Sequence, residues 1–280
     1  MKIQILGSGG GEGFPSAFCS CEHCEKARLL GGKNIRSLSQ TIINDELLID
    51  YPADTDYHAL RFNLNLGKVK HLLVTHAHED HFMPISINNR GDVRAHNLKH
   101  EKFYIHGTLG LEKLYDEVVN CYYNVPSIRK NIVFKAVQDK VPFVIDGYKI
   151  TPLKAMHFAK FECYNYIIEQ GGQSLLYFLD TGYPTEETIS YLESLKKPFD
   201  SVIMDSTYGY APPKSSISHM GFEENKMLKA EFIERGICTD KTIFVANHFT
   251  HNKTETHDTV EKIFAGSDII PSFDGFTYTI

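Results

Sequence analysis

The sequence lacks tryptophan, any excess of basic residues, and any apolar run approaching the ~20 residues of a membrane-spanning helix. Its 29 Lys and Arg are outnumbered by 35 Asp and Glu, which gives a formal net charge of -6. A net negative charge argues against a protein whose main function is to bind long nucleic acids through their phosphates. Residues 1–13 contain one short apolar stretch and then glycines, without the long apolar core of a signal peptide. We therefore expect a cytoplasmic protein with no membrane partner and no stable nucleic-acid partner.

Cysteine is scarce, and half of it is concentrated in one place. Three of the six are isolated in or beside apolar stretches, where a buried free thiol is the default: Cys121, Cys163 and Cys238. The other three, Cys19, Cys21 and Cys24, fall within six residues. In a reducing compartment such a cluster indicates metal binding rather than a disulfide.

No repeat, low-complexity tract or Pro/Ser-rich linker divides the chain, so we predict a single domain over residues 1–280. The predicted strands are 2–6, 41–43, 46–50, 69–75, 141–153, 163–179, 201–205 and 241–246, with Asn/Asp and Gly turns inside the longer ones. The predicted helices are 54–62, a helix beginning at residue 81, 185–195, 223–235, and a helix from about residue 256. Strand-rich segments with inserted helices in both halves favour an α/β (α+β) fold in which two sheets pack face to face with helices outside.

The densest chemical signal is THAHEDH at residues 75–81, directly after an apolar strand pattern. Three imidazoles and a carboxylate within six residues suit zinc or a similar ion. His76 and His78 are two residues apart, so in an extended segment both rings can point the same way. Asp80 and His81 lie beyond and can face a second ion. A lone histidine is usually a solvated polar residue, but this dense group predicts a metal site.

The pattern His76-x-His78-x-Asp80-His81 after an apolar strand resembles the signature of the metallo-β-lactamase superfamily. The resemblance implies an αββα sandwich of two mixed β-sheets and a hydrolase in which a metal-bridging hydroxide attacks the substrate. It also implies three later ligands that match singly near strand ends, namely His157, Asp180 and His248.

In the implied arrangement two divalent ions, Zn or Mn, share these ligands. The first ion takes His76, His78 and His157; the second takes Asp80, His81 and His248; Asp180 touches both. Asp50, which closes a predicted strand, is either a carboxylate that orients a ligand imidazole or a turn residue, and both interpretations stay open.

The glycine run at residues 7–13 and the spacing Cys19-x-Cys21-x-x-Cys24 resemble one branch of the superfamily, the phosphodiesterase family of the carbon–phosphorus lyase pathway. That family opens a cyclic ribosyl phosphate. Its structural zinc is held by the three cysteines and by a histidine three residues beyond the last catalytic ligand, which here is His251. The glycine run itself is neither a dinucleotide fingerprint nor a phosphate-binding loop, and we interpret it as a backbone turn close to the active site.

Ser218-His219-Met220 lies between a strand and a helix, where phosphodiesterases of this superfamily place a histidine. By this resemblance His219 would protonate the leaving alkoxide or stabilise the charged transition state, beside Asp80 as the second catalytic residue. The alternative is a solvated residue next to a helix cap. The expected substrate is a small, mononucleotide-like or cyclic ribosyl phosphodiester.

Three other functions stay open: a tRNA 3′-processing endoribonuclease, a lactonase or thioesterase, and a non-catalytic cofactor-biosynthesis protein of the same fold. The ribonuclease usually carries a long Gly/Pro-rich arm, and no such insertion is apparent. A homodimer is the common default for a soluble oligomer. The remaining histidines are interpreted as surface residues, namely His58, His71, His96, His100 and His257, whereas His106 has a position from which it can approach the cleft. Residues 94–123 and 208–216 match no motif.

Overall fold

The computed structural model describes residues 1–91, 94–122, 129–158 and 160–280, and within these ranges the strands form two mixed seven-stranded sheets. The first sheet, in the spatial order β14-β1-β2-β3-β4-β5-β6, contains β1 (Lys2–Gly7), β2 (Gln40–Ile43), β3 (Leu47–Ile49), β4 (His71–Leu73), β5 (Phe103–Gly107), β6 (Ile132–Ala136) and β14 (Thr277–Thr279). The second, in the order β13-β12-β11-β10-β9-β8-β7, contains β7 (Phe143–Ile145), β8 (Tyr148–Lys154), β9 (Tyr164–Gln170), β10 (Gln173–Phe178), β11 (Ser201–Asp205), β12 (Ile243–Asn247) and β13 (Ile269–Pro271). The predicted two-sheet α/β architecture is confirmed.

Helices cover the outer faces of the sheets. The α-helices are α1 (Glu22–Leu30), α2 (Thr55–Arg61), α3 (Leu109–Tyr122), α4 (Glu186–Ser194), α5 (Phe222–Glu234) and α6 (His257–Phe264). Short 3₁₀ helices occupy Gly32–Asn34, Leu66–Lys68 and Pro84–Arg90. None of the helices in the described ranges combines the length and apolarity that crossing a bilayer requires.

Strand alternation divides the core into three layers. In β11, Val202 and Met204 belong to the outer cluster that α4, α5 and α6 cover, whereas Ile203 belongs to the cluster between the sheets. In β4, Leu72 packs in the outer cluster with α3, and Leu73 packs between the sheets. Successive side chains of a strand point to opposite faces, so strands buried on both sides read as continuous apolar runs.

The topology brings several strand ends to one edge of the sandwich. β10, β11 and β12 are parallel and in register, β8 has the same direction as β10 through the antiparallel β9, and β3 is parallel to β4. The residues predicted to bind metal or orient its ligands follow directly after the carboxyl ends of these strands. The carboxyl edge of such strands is the usual place for a ligand site in open α/β sheets.

The predicted helix beginning at His81 is wrong. Residues 81–83 form a turn and a bridge in which Tyr51 pairs with Phe82, and the backbone N–H of Met83 donates to Tyr51. The cause is Pro84, because a residue that precedes proline is driven out of the helical region. A 3₁₀ helix begins only at Pro84.

The surface interpretation is wrong for three histidines, since His58, His71 and His257 are buried. The His58 ring contacts Gln40 and Ser37, and its burial is tolerated because both ring nitrogens are paired. His96 is exposed and His100 is half-buried. The ring of His106 contacts His71 rather than the histidine motif.

Cys121 is exposed, contrary to the expected buried thiol, whereas Cys163 and Cys238 are buried. Helix α3 buries Leu111, Tyr115 and Val119, which recur every four residues on one face. Cys121 lies two residues beyond Val119 and therefore on the other side of the helix.

Candidate metal centre

Seven side chains gather at the carboxyl edge of the sandwich, and we refer to them as the His/Asp cluster. Its members are His76, His78, Asp80, His81, His157, Asp180 and His248. They come from the segments that follow β4, β8, β10 and β12, and all except His78 and His157 are buried. All seven residues predicted as active-site ligands therefore lie together.

One half of the cluster consists of three imidazoles. Nδ1 of His78 lies 3.0 Å from Nε2 of His76 and 3.2 Å from Nε2 of His157. Ring nitrogens that face one another at this spacing cannot all carry protons, and their lone pairs repel. A cation among them removes that conflict, and three imidazole nitrogens are an ordinary donor set for zinc.

The other half combines two imidazoles with a carboxylate. Nε2 of His81 lies 3.2 Å from Nε2 of His248 and 3.2 Å from Oδ2 of Asp80. Nε2 of His248 lies 3.7 Å from the same Asp80 oxygen. Nitrogen and carboxylate oxygen in this combination suit zinc or manganese.

Asp180 lies between the two halves. Its Oδ2 is 3.0 Å from Nε2 of His81 and 3.2 Å from Nε2 of His248, and its Oδ1 is 4.0 Å from Nε2 of His157. Oδ2 is buried and accepts no hydrogen bond from the described residues. A buried carboxylate oxygen without a donor fits a place beside a bound cation.

A second set of residues fixes the orientation of the imidazoles. Nδ1 of His81 donates to Oδ2 of Asp50 at 2.7 Å, and Asp50 also accepts from the backbone N–H of Thr75 at 2.8 Å. Nδ1 of His248 donates to the Thr207 hydroxyl at 2.7 Å, and this hydroxyl donates to Asp205 at 2.9 Å. These bonds place the proton on Nδ1 and leave Nε2 with its lone pair toward the cluster.

Nδ1 of His157 is 3.2 Å from the carbonyl of Ser218 and donates to it. The contacts of Asp50 agree with the orienting role among its two interpretations. Asp205 and Thr207 were missed at the sequence level, although Asp205 closes an apolar strand in the same way as Asp50 does.

Three members of this site have backbone conformations that favour glycine. The φ angles of Asp50, Asp180 and His248 are 64°, 49° and 67°. Non-glycine residues rarely adopt the left-handed region, and such strain concentrates at functional sites where surrounding contacts impose it.

The electrostatics favour positive charge at the centre of the cluster. Burial lowers the pKa of His76 well below its ordinary value, which keeps this ring neutral. Burial also acts to lower the pKa of His81, but the carboxylates of Asp80, Asp180 and Asp50 outweigh it and raise that pKa well above the ordinary value. Burial acts to raise the pKa of Asp180, yet His248 and His81 hold it well below the ordinary value. The raised pKa of His81 means that the surrounding carboxylates favour a cation beside this ring, and a metal ion that displaced the proton would take that place.

The glycine run passes close to the cluster, as predicted. A Cβ on Gly10 would lie 3.2 Å from Cε1 of His248, and a Cβ on Gly11 would lie 3.5 Å from Oδ2 of Asp80. A side chain at Gly10 would therefore crowd His248, whereas the distance at Gly11 is that of an ordinary van der Waals contact.

His219 borders the cluster without belonging to either three-residue half. Its Nδ1 is 3.2 Å from Oδ2 of Asp205 and 3.8 Å from Oδ1 of Asp180, and its ring stacks on Tyr208 at 5.3 Å. Burial acts to lower the pKa of His219, but Asp205 outweighs it and raises the pKa to about 9. These contacts favour the catalytic interpretation over a solvated residue next to a helix cap.

A second group lies apart from the His/Asp cluster, and we refer to it as the Cys/His group: Cys19, Cys21, Cys24 and His251. Its four ligand atoms lie within 4.8 Å of one another, and Sγ of Cys21 is 3.7 Å from Nδ1 of His251. The contact with His251 lowers the pKa of Cys21 to about 6, and thiolate is the form that binds zinc. His23 is directed elsewhere, with Nδ1 3.3 Å from Glu255.

The comparisons with known proteins agree with this geometry. The family model described as a β-lactamase superfamily domain matches residues 53–232. A diphosphatase from the PhnP family superposes with a TM-score of 0.76 at 16% sequence identity, covering 100% of this chain and 97% of its own. The metallo-β-lactamase fold protein YhfI from Bacillus subtilis superposes with a TM-score of 0.70 at 18% identity, covering 99% and 98%. Human tRNase Z, short form, superposes with a TM-score of 0.64 at 14% identity, covering 100% and 99%.

No curated protein matches the chain. At identities this low the structural similarity establishes the fold alone, and this fold together with the His/Asp cluster implies divalent metal ions.

Proposed function

Because the chain belongs to the β-lactamase superfamily and is a metal-dependent hydrolase, we propose that it hydrolyses a small phosphodiester at the His/Asp cluster. One ion, Zn or Mn, would be held by His76, His78 and His157, and a second by Asp80, His81 and His248, with Asp180 between them. Bound divalent ions supply positive charge that lowers the pKa of a water molecule and offsets the charge of the phosphate.

The observation that carries the proposal is the position of His219 beside Asp180. Asp205 accepts a hydrogen bond from Nδ1 of His219 and holds the ring at the edge of the cluster, where it can donate to a leaving alkoxide. Asp205 is itself fixed, because the backbone N–H groups of Thr207 and Met220 donate to it at 3.1 and 3.0 Å. A phosphodiester is already negatively charged, and its transition state spreads charge over the phosphoryl oxygens. A cationic His219, in addition to the metal ions, would therefore stabilise this transition state more than that of a neutral ester.

The substrate class has two further supports. The relatives named as a diphosphatase and as a tRNase Z favour phosphorus over a carbonyl centre. The net charge of -6 favours a small substrate over RNA, because no excess of cations is available to bind a long phosphate backbone.

We further propose that the Cys/His group holds a structural zinc. It has four ligand atoms, as a closed tetrahedral site requires, and it connects α1 to the segment that follows β12.

The test uses the metal-replete protein and three substrates: bis-p-nitrophenyl phosphate, p-nitrophenyl phosphate and a simple lactone. We expect the diester to be cleaved with the highest kcat/KM. Asp80→Ala should abolish this activity, whereas Glu79→Ala, which removes an exposed carboxylate one residue away, should retain it. Faster cleavage of the monoester would assign a phosphomonoesterase, and turnover of the lactone alone would refute phosphorus as the reacting centre.

A further inference from the structure

The glycine run at residues 7–13 lies against the segment that follows β12, and this segment supplies one residue to each ligand group. His248 belongs to the His/Asp cluster, and His251 belongs to the Cys/His group. The backbone N–H of Gly10 donates to the carbonyl of Phe249 at 2.9 Å. Backbone pairing therefore places the side chains of the glycine run beside the segment that joins the two groups.

Glu12 is the charged side chain of the glycine run, and its carboxylate contacts the ring of His251. Oε1 of Glu12 lies 3.3 Å from Nε2 of His251 and accepts a hydrogen bond from the Asn252 amide at 3.2 Å. The other ring nitrogen of His251, Nδ1, lies 3.7 Å from Sγ of Cys21. The imidazole of His251 thus lies between a carboxylate and a thiol.

This placement selects one tautomer of His251. An ionised carboxylate can only accept, so the proton of the neutral ring lies on Nε2, toward Glu12. Nδ1 then keeps its lone pair toward the cysteines, which is the form that a metal ligand needs. The same arrangement occurs in the His/Asp cluster, where Nδ1 of His81 donates to Asp50 and leaves Nε2 toward the ligands.

A second histidine of this region also has a glutamate partner but does not belong to the Cys/His group. Nδ1 of His23 lies 3.3 Å from Oε2 of Glu255, the same distance as in the pair of His251 and Glu12. A glutamate beside a histidine is therefore not sufficient for a ligand. What distinguishes His251 is that its second ring nitrogen faces the cysteines.

From these contacts we propose that Glu12 is a positioning residue of the Cys/His group, whose carboxylate holds His251 with Nδ1 toward the three cysteines. The inference rests on the proposed structural zinc and adds a residue outside its four ligands. Glu12 follows Gly11, where a Cβ would lie 3.5 Å from the Asp80 carboxylate. The contact of Glu12 with His251 therefore connects the Cys/His group to the backbone that borders the His/Asp cluster.

The test uses cobalt(II) in place of zinc and follows its loss to a competing chelator. Charge-transfer absorption between thiolate and cobalt reports the Cys/His group alone, because the His/Asp cluster contains no cysteine. Glu12→Ala should lower the cobalt affinity of this group by about tenfold. This is the lower end of the effect of losing such a partner, since about a third of the Glu12 side chain is exposed. Glu12→Gln should recover part of the affinity, because its amide oxygen still accepts from Nε2 but carries no charge.

Glu255→Ala is the matched control, because Glu255 contacts His23 at the same distance and its side chain is exposed to a similar extent. Its cobalt affinity should equal that of the wild type. The Tm of the metal-free protein is measured for every variant. Loss of an exposed ion pair costs at most about 1 kcal/mol, or about 2–4 °C in a chain of this size, so a Tm within that range separates lost metal binding from lost folding.

The outcomes separate the two claims. Wild-type cobalt affinity in Glu12→Ala, or an equal loss of affinity in Glu255→Ala, would overturn the role of Glu12 and leave the proposed zinc site intact. A larger fall in the Tm of metal-free Glu12→Ala would also overturn it, because Glu12 would then stabilise the fold rather than orient a ligand. Absence of the thiolate–cobalt absorption from the wild type would overturn the zinc site, and the inference with it.

Discussion

Asp50 is the residue through which the orientation of a ligand imidazole can be tested without touching any ligand. It is fully buried, and its two oxygens accept from the backbone of Thr75 and from Nδ1 of His81 at 2.8 and 2.7 Å. In Asp50→Asn one of these positions becomes an NH₂ group. The Thr75 backbone N–H can only donate, so the amide oxygen must face Thr75 and the NH₂ group must face His81.

An NH₂ donor facing Nδ1 of His81 reverses the tautomer of this ring. Nδ1 must then accept, and the proton moves to Nε2, which lies 3.2 Å from Asp80 and 3.0 Å from Asp180. The nitrogen that should bind metal is thereby blocked. Loss of such an orienting partner typically costs about 10–100-fold in metal affinity, or about 1.4–2.8 kcal/mol.

The measurement is competition of the protein with a chromogenic chelator, together with ions bound per chain. At limiting metal, Asp50→Asn should lose one ion from the half of the cluster that contains His81, and the half with His76 should keep its own. Asp200→Asn is the matched control, because Asp200 likewise accepts from a backbone N–H, that of Ser174 at 2.7 Å, but is remote from the ligands. Wild-type affinity at both sites in Asp50→Asn would refute the tautomer argument.

Three further changes test other parts of the molecule. His219→Ala should lower kcat for the diester by about 10²–10⁴-fold at unchanged metal content, with exposed His96→Ala as the control; an unaltered kcat would exclude His219 from the reaction. Cys24→Ser should release one zinc per chain and lower the Tm by at least about 5 °C, whereas the buried free thiol Cys238 should tolerate the same change without loss of zinc. Burial lowers the pKa of His58 to about 3, so the unfolded chain binds a proton below pH ~6.5 that the folded chain excludes. His58 should therefore contribute a loss of about 1.4 kcal/mol per pH unit to the free energy of unfolding as the pH falls from about 6.5 toward 3. When the free energy of unfolding is measured with urea at several pH values, its dependence on pH should be flatter by that amount in His58→Gln. The same pH dependence in the wild type and the variant would contradict the lowered pKa of His58.

The members of the His/Asp cluster were predictable because metal binding restricts both residue type and place. His76, His78 and His81 come from one short motif, and the family resemblance adds His157, Asp180 and His248, each of which follows a strand. Parallel strands in a sandwich bring their carboxyl ends together, so residues far apart along the chain converge once the strand directions are known.

Elements whose formation depends on distant partners were not predictable in the same way. β14 is three residues long and exists because Thr277–Thr279 pair with Lys2–Gln4 at the other end of the chain. The helix predicted to begin at His81 does not form for a local reason, because Pro84 drives the residue before it out of the helical region. The burial of histidines such as His58 also cannot be predicted from their neighbours in the sequence, because it depends on partners that tertiary packing supplies.

Other residues of the site could not be identified from local sequence patterns. Asp205 carries the same strand-end signal as Asp50, yet its role becomes visible only when His219, from a loop fourteen residues later, is seen to contact it. Glu12 carries no signal at all, because a glutamate after a glycine run is ordinary. Its position depends on His251 and Asn252, more than two hundred residues away in the chain, both of which contact one of its carboxylate oxygens. Metal binding restricts residue type so strongly that it leaves a pattern, whereas substrate recognition can use any polar side chain that the fold brings to the right place. Candidate metal ligands are therefore visible in local motifs, whereas the residues that orient them become visible only in the folded chain.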